Sequence, residues 1–246
     1  MDRMIYTAMS GAKQILEQQA TTSHNLANAT TTGFRAQVDQ FRAVPIQGAI
    51  LPTRAFVVDS TTGNDFRAGA IQHTGRELDV AVQGPGWIAV APGDGSEAYT
   101  RNGSLKIDEN GQLQTRDGLS VMGDGGPLSI PPGRNLSIAK DGTISLLPDG
   151  SAATGVTSIG RLKLVNPAET DLARGDDGLF RLKSGNPADA DPKVALVSGA
   201  LESSNVNVVD EMVNMISLAR QFDMQMKLLQ NAEDNDTKAA QLLNVG

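Results

Sequence analysis

The chain has no cysteine, so it carries no disulfide and no thiolate metal site. Aromatic residues make up only 4% of it, with a single tryptophan, Trp87. No apolar run approaches the ~20 residues of a membrane-spanning helix. The first twenty residues mix polar and apolar groups and lack the continuous apolar stretch of a secretory leader, so an exported chain would need another route. A net charge of −7 argues against nucleic acid or anionic lipid as a partner. The only histidines are His24 and His73, and neither has a second ligand at metal-binding spacing, so both read as surface or interface residues. There is no Gly-x-Ser-x-Gly elbow, phosphate loop or dinucleotide fingerprint. Asp108-Glu109-Asn110-Gly111 lacks the spaced ligands of a calcium loop and reads as a hairpin turn. No catalytic, metal or cofactor residue emerges.

The scarcity of helix breakers is positional. All 11 prolines lie between Pro45 and Pro192, residues 1–32 contain only Gly11, and residues 200–246 contain only Gly246. Proline costs about 3 kcal/mol and glycine about 1 kcal/mol inside a helix. The two ends therefore read as long helices. The first spans about Asp2 to Asn28, with a seam through Ile5, Met9, Ala12, Leu16, Gln19, Ser23 and Leu26. The second opens near Asn207, with Asn205 or Asn207 as N-cap, and runs to about Leu243. Its seam follows Met215, Leu218, Phe222, Gln225, Leu229, Ala232, Asp236, Ala239 and Leu243, widened by Met212, Ile216, Ala219 and Met226. So broad a stripe reads either as a helix with several neighbours or as one face of an ordinary core helix. Seven of eight methionines fall in these ends, where an adaptable side chain suits imperfectly matched neighbours or fills gaps.

Between the ends, residues 41–75 read as an extended connector with little regular structure, punctuated by Pro45, Gly48, Pro52, Gly63 and Gly69. Residues 76–199 read as β. Leu78, Val80 and Val82, then Leu105 and Ile107, Leu136 and Ile138, Ile144 and Leu146, and Leu162 and Leu164, alternate as half-buried strands do. Asn102-Gly103, Asn110-Gly111, Asp117-Gly118, Asp141-Gly142 and Asp149-Gly150 are hairpin signals between them. The basic residues Arg101, Lys106, Arg116, Arg134, Lys140, Arg161 and Lys163 read as solvated strand faces. Trp87 reads as core. The fold class is α+β, with long N- and C-terminal helices, which would have to pair with each other or with other copies, and a central, mostly antiparallel β domain. Residues 1–40 with 200–246 form the discontinuous helical core domain, 41–75 the connector and 76–199 the β-rich outer domain.

One run is more specific: Ser23-His24-Asn25-Leu26-Ala27-Asn28-Ala29-Thr30-Thr31-Thr32-Gly33-Phe34-Arg35. It resembles the N-terminal signature of bacterial flagellar rod and hook proteins, S-x-N-L-A-N-x-x-T-x-G-[FY]-[KR]. The signature positions are Ser23, Asn25, Leu26, Ala27, Asn28, Thr31, Gly33, Phe34 and Arg35. Thr32 stands where that family usually has proline. Gly69 to Gly75, Leu78 to Gly84, Tyr99 to Gly103 and Leu201 to Asn207 resemble further family segments in the same order. The opening Met1 to Met9 and Phe41 to Pro45 resemble the proximal-rod class, with the distal-rod class as the alternative.

The resemblance implies a non-enzymatic axial subunit of the basal-body rod in the periplasm, needing no cofactor. Its N- and C-terminal helices would pair as an inner coiled coil with the β domain outside, and it would assemble helically with its own copies and other rod proteins into a drive shaft around the export channel. It would be exported by the flagellar type III apparatus without a cleaved signal peptide, and would neither bind nucleic acid nor insert in membrane. Ile5, Met9, Leu16, Leu26, Met212, Met215, Ile216, Leu218, Phe222, Met226, Leu229 and Leu243 are the expected subunit-interface residues. The rival readings are a secreted carbohydrate-active β protein with helical dimerisation ends, and an adaptor whose helices close into a discrete bundle.

Overall fold

Proline is absent from both ends and glycine nearly so, and both ends are helical in the computed structural model, which describes residues 2–45, 55–93, 95–131, 133–148 and 157–243. Helix α1 spans Asp2–Ala27 and helix α2 spans Val208–Leu243. Of the two N-cap candidates for α2, Asn207 does the capping: its Oδ1 accepts the Val209 N–H at 3.1 Å. Asp210 and Glu211 sit in the first turn, where the helix dipole favours negative charge.

The segment read as an irregular connector instead contains an antiparallel hairpin, β1 (Gln37–Pro45) with β2 (Ala55–Asn64). Its β-branched and aromatic residues supply strand propensity that the prolines and glycines masked, and Gln37 is fixed by a side chain of α1. The chain divides into two compact units. The helical unit comprises residues 1–29, 35–65 and 206–246, so the hairpin belongs with the helices. The β unit comprises residues 30–34 and 66–205.

Within the β unit every strand pairing among the described residues is antiparallel. The largest sheet has the order Leu172–Arg174, Phe180–Leu182, Ala98–Thr100, Trp87–Ala91, Ser120–Gly123, Leu113–Thr115, Leu105–Ile107. A second sheet is the meander Gly133–Ile138, Thr143–Pro148, Thr157–Arg161. Two short ribbons return the chain: Val80–Gln83 with Ala195–Ser198, and Ile71–His73 with Ala200–Glu202. The core between the sheets includes Val80, Ile88, Leu105, Leu113, Ile144, Leu162 and Leu196. Trp87, Tyr99, Val165, Leu172 and Phe180 form a second cluster.

Asn110-Gly111, Asp117-Gly118 and Asp141-Gly142 make turns at positive φ. Asn102-Gly103 does not. Gly103 has no positive φ, and a Cβ there would lie 1.7 Å from the Val80 carbonyl oxygen, so glycine serves close backbone approach instead. The Asp149-Gly150 signal lies outside the described residues.

Candidate assembly surface and signature turn

The burial pattern along α2 is a strict seam. Met215, Phe222, Gln225 and Leu229 are half-buried and Leu218 and Ala232 buried, with exposed residues between them. From Met215 to Ala232 this is the 3-4 spacing read from the sequence, whereas Ala219, read as widening it, is exposed; the side chains of Asp236, Ala239 and Leu243 lie outside the described residues. Gln225 lies opposite Gly11, its side-chain nitrogen 3.4 Å from where a Cβ would sit. Near the other end, Asn25 Nδ2 donates to Glu211 Oε1 at 3.0 Å. The two contact points are equally spaced on each helix and in opposite order, so α1 and α2 run antiparallel.

The inward face of α1 differs from the seam drawn on sequence. Ile5, Ala12, Gln19 and Leu26 keep their places, but Ala8, Ile15 and Thr22 replace Met9, Leu16 and Ser23. Met9 and Leu16 are 54% and 51% exposed. Two features set this rotation. Gly11 leaves room for the Gln225 side chain of α2, and the buried Asn25 fixes the end of the helix. Asn25 Oδ1 accepts the Gln37 N–H at 2.8 Å, while Nδ2 donates to the Gln37 carbonyl at 2.9 Å and to Glu211. One signature side chain thus joins α1, β1 and α2 with its donors and acceptor used. Thr21 adds a hydrogen bond to Asp39 at 2.9 Å.

Met212, Ile216 and Met226 are exposed on α2, as are Val208, Val209, Val213, Met224 and Leu228. Val209, Met212, Val213 and Ile216 follow helical spacing on the side away from the seam, forming an apolar stripe on the first half of the helix. Leu243 closes α2.

The remaining signature residues make a turn. Asn28 caps the end of α1, its Nδ2 donating to the His24 carbonyl at 2.9 Å. Ser23, Ala27 and Thr31 are exposed, and Phe34 and Arg35 are buried. Gly33 adopts φ 69°, and a Cβ there would lie 2.3 Å from the Arg101 carbonyl carbon. Its N–H donates to the Glu202 carbonyl at 2.8 Å. Phe34 lies against the Arg174 guanidinium at 4.5 Å, which continues to Phe180 and Trp87. Burial holds the Arg174 pKa below its ordinary value.

Arg101 and Lys163 are not solvated strand residues. Arg101 is buried, 2.9 Å from the buried Glu202 carboxylate, and Lys163 pairs with Glu97 at 2.7 Å with little exposure of either. A strand's alternation cannot reveal an acid contributed from a hundred residues away. Arg101 and Glu202 both fall in segments that carry the family resemblance, which was the available signal. Glu211, Gln37 and Arg174 had none. Among the described residues no cluster of His, Asp or Glu could hold a metal ion.

Three family models fall on these features. "Flagella basal body rod protein" matches residues 5–35, covering most of α1 and the signature turn. "Flagellar hook protein FlgE/F/G D1 domain" matches residues 81–146, in the β unit. "Flagellar basal body rod FlgEFG protein C-terminal" matches residues 197–242, from the return strands through α2. Over 251 aligned residues covering all of both chains, the sequence is 51% identical to the flagellar basal-body rod protein FlgF of Escherichia coli K12. The chain belongs to the flagellar basal-body rod protein family. It is 48% identical to FlgF of Salmonella typhimurium, again over the whole of both chains. FlgG of Buchnera aphidicola from Schizaphis graminum is 32% identical over 89% of this chain and 92% of its own. The flagellar rod family is one of structural proteins, so this member is a structural protein of the basal body rather than an enzyme, and its likeness favours FlgF over FlgG.

Proposed function

We propose that the chain is a subunit of the proximal rod whose paired terminal helices form a coiled coil with those of neighbouring subunits, in a helical array around the export channel. The carrying observation is the apolar stripe on α2: Val209, Met212, Val213 and Ile216 are 66%, 52%, 60% and 55% exposed although α1 already covers the opposite seam. An apolar face left open on a helix that already has one partner fits a helix with several neighbours. Head-to-tail contacts that do not close generate an open filament, and the drive shaft is read as such a filament. Met9 and Leu16 on α1 present further apolar surface to the same neighbours. We place the subunit in the periplasmic part of the basal body, delivered there by the flagellar type III apparatus.

Ile216→Asp tests this reading. The side chain is exposed in the single chain, so the variant should fold with an unchanged β unit. In the array its carboxylate would be buried without a partner, at a cost of several kcal/mol. The expected result is normal expression, no incorporation into basal bodies and non-motile cells. Normal incorporation would overturn the proposal. Rescue of a strain lacking FlgF, and not of one lacking FlgG, would assign the proximal rod.

A further inference from the structure

The chain passes between its two units four times, at 29/30, 34/35, 65/66 and 205/206. On the β side, the segments bearing these passages meet at one residue, through its carboxylate and its backbone. Glu202 is fully buried. Its Oε1 accepts the Gly69 N–H at 2.9 Å, and its Oε2 faces Arg101 Nη1 at 2.9 Å. Its backbone carbonyl accepts the Gly33 N–H at 2.8 Å. Three residues on, the Asn205 N–H reaches the Phe34 carbonyl at 3.4 Å, and Asn205 Nδ2 donates to the Arg67 carbonyl at 3.0 Å. Arg101 is held from the core side. Its Nη2 donates to the Gly84 carbonyl at 2.7 Å, and its guanidinium lies 5.3 Å from the Trp87 ring centre.

A buried ion pair adds little stability compared with apolar side chains of the same volume, whereas removing one member leaves a costly uncompensated charge. Its best-attested use is to specify one arrangement among several. Here the two carboxylate oxygens and the backbone of Glu202 bind three stretches of chain far apart in sequence.

We propose that the Arg101–Glu202 pair is a clasp that orders residues 30–34, 66–70 and 203–205 on the β unit together. Glu202 follows almost the whole β unit in sequence, so the clasp closes only once nearly all of that unit is present. The turn at Gly33, near the N-terminus, therefore waits for a residue near the C-terminus. The clasp is internal to the β unit and does not depend on rod assembly.

Hydrogen exchange on the free full-length chain tests it. Glu202→Gln removes the charge while keeping an oxygen for Gly69. Gly33, Gly69, Ser203 and Asn205 amides should exchange about tenfold faster or more, while Ala89, Leu113 and Leu196 change by less than about twofold, the pattern of a local opening. The double variant Arg101→Met, Glu202→Met leaves no uncompensated charge and should show the same split. Equal acceleration in both groups would mark a general core stabiliser and overturn the clasp. So would unchanged passage amides in either variant, or failure of both variants to fold.

Discussion

Replacing Gly33 by alanine separates two costs that the signature turn combines. Gly33 sits at φ 69°, where an L-residue costs roughly 1–2 kcal/mol. The added Cβ would also lie 2.3 Å from the Arg101 carbonyl carbon and 2.5 Å from both the Arg101 oxygen and the Asn102 nitrogen. These are backbone atoms and cannot swing aside. Restoring an ordinary separation of about 3.5 Å moves the turn by roughly an ångström. That stretches the Gly33 N–H bond to Glu202, now 2.8 Å, past useful length, at a further cost of about 1–3 kcal/mol. The expected loss is about 3 kcal/mol. Gly118→Ala is the control: φ there is 87° with nothing within 4 Å of the added Cβ, so only the conformational cost of about 1 kcal/mol applies. The chain's only tryptophan, Trp87, is 4% exposed within the β unit and reports its unfolding by fluorescence. With a urea slope of about 2 kcal/mol per molar, the midpoint should fall by about 1.5 M for Gly33→Ala and about 0.5 M for Gly118→Ala. Equal shifts would refute the close-approach argument.

Three further outcomes are expected. Asn25→Ala strips the Gln37 backbone and Glu211 of their partner and should cost the helical unit about 2–3 kcal/mol, read as reduced incorporation into rods; Asn25→Asp should be worse because it sets a carboxylate against Glu211, and wild-type behaviour of Asn25→Asp would contradict the assignment. Burial pushes the Tyr99 hydroxyl up to about 12 from an ordinary 10, so the folded chain keeps a proton that the unfolded chain loses. Stability of the β unit should therefore be full below pH 10 and fall as pH rises from there to about 12; Tyr99→Phe should flatten that decline by one proton, and an unaltered slope would exclude Tyr99 as its source. Circular dichroism of the free subunit should give less helix than the 26 and 36 residues of α1 and α2 can supply, rising on assembly; full helicity in a dilute monomer would argue against surfaces completed by neighbours.

The terminal helices were legible because an absence is a strong signal: without proline, and almost without glycine, nothing interrupts a helix. The seam of α2 was legible for the same reason that amphipathic helices usually are, its apolar period from Met215 to Ala232 being interrupted only by Gln225. The seam of α1 was legible only in part: Ile5, Ala12, Gln19 and Leu26 lie on it, but Met9 and Leu16 face outward while Ala8 and Thr22, which a hydrophobic pattern weights lightly, face inward. The hairpin from Gln37 to Asn64 was hidden behind prolines and glycines that mark loops in most contexts.

The sequence alone determined the α+β class, the capping of α2 by an asparagine, most turns of the β unit and, through residues Ser23 to Arg35, the family. These depend on interactions between residues close along the chain, or on a motif that can be read in order. Only the tertiary structure decided what the signature is for. Asn25 has its partners at Gln37 and Glu211, and Gly33 is required by the backbone of Arg101 and accepted by the carbonyl of Glu202. Those partners lie up to 186 residues apart, and no local propensity or spacing encodes which distant group will be brought to a buried donor.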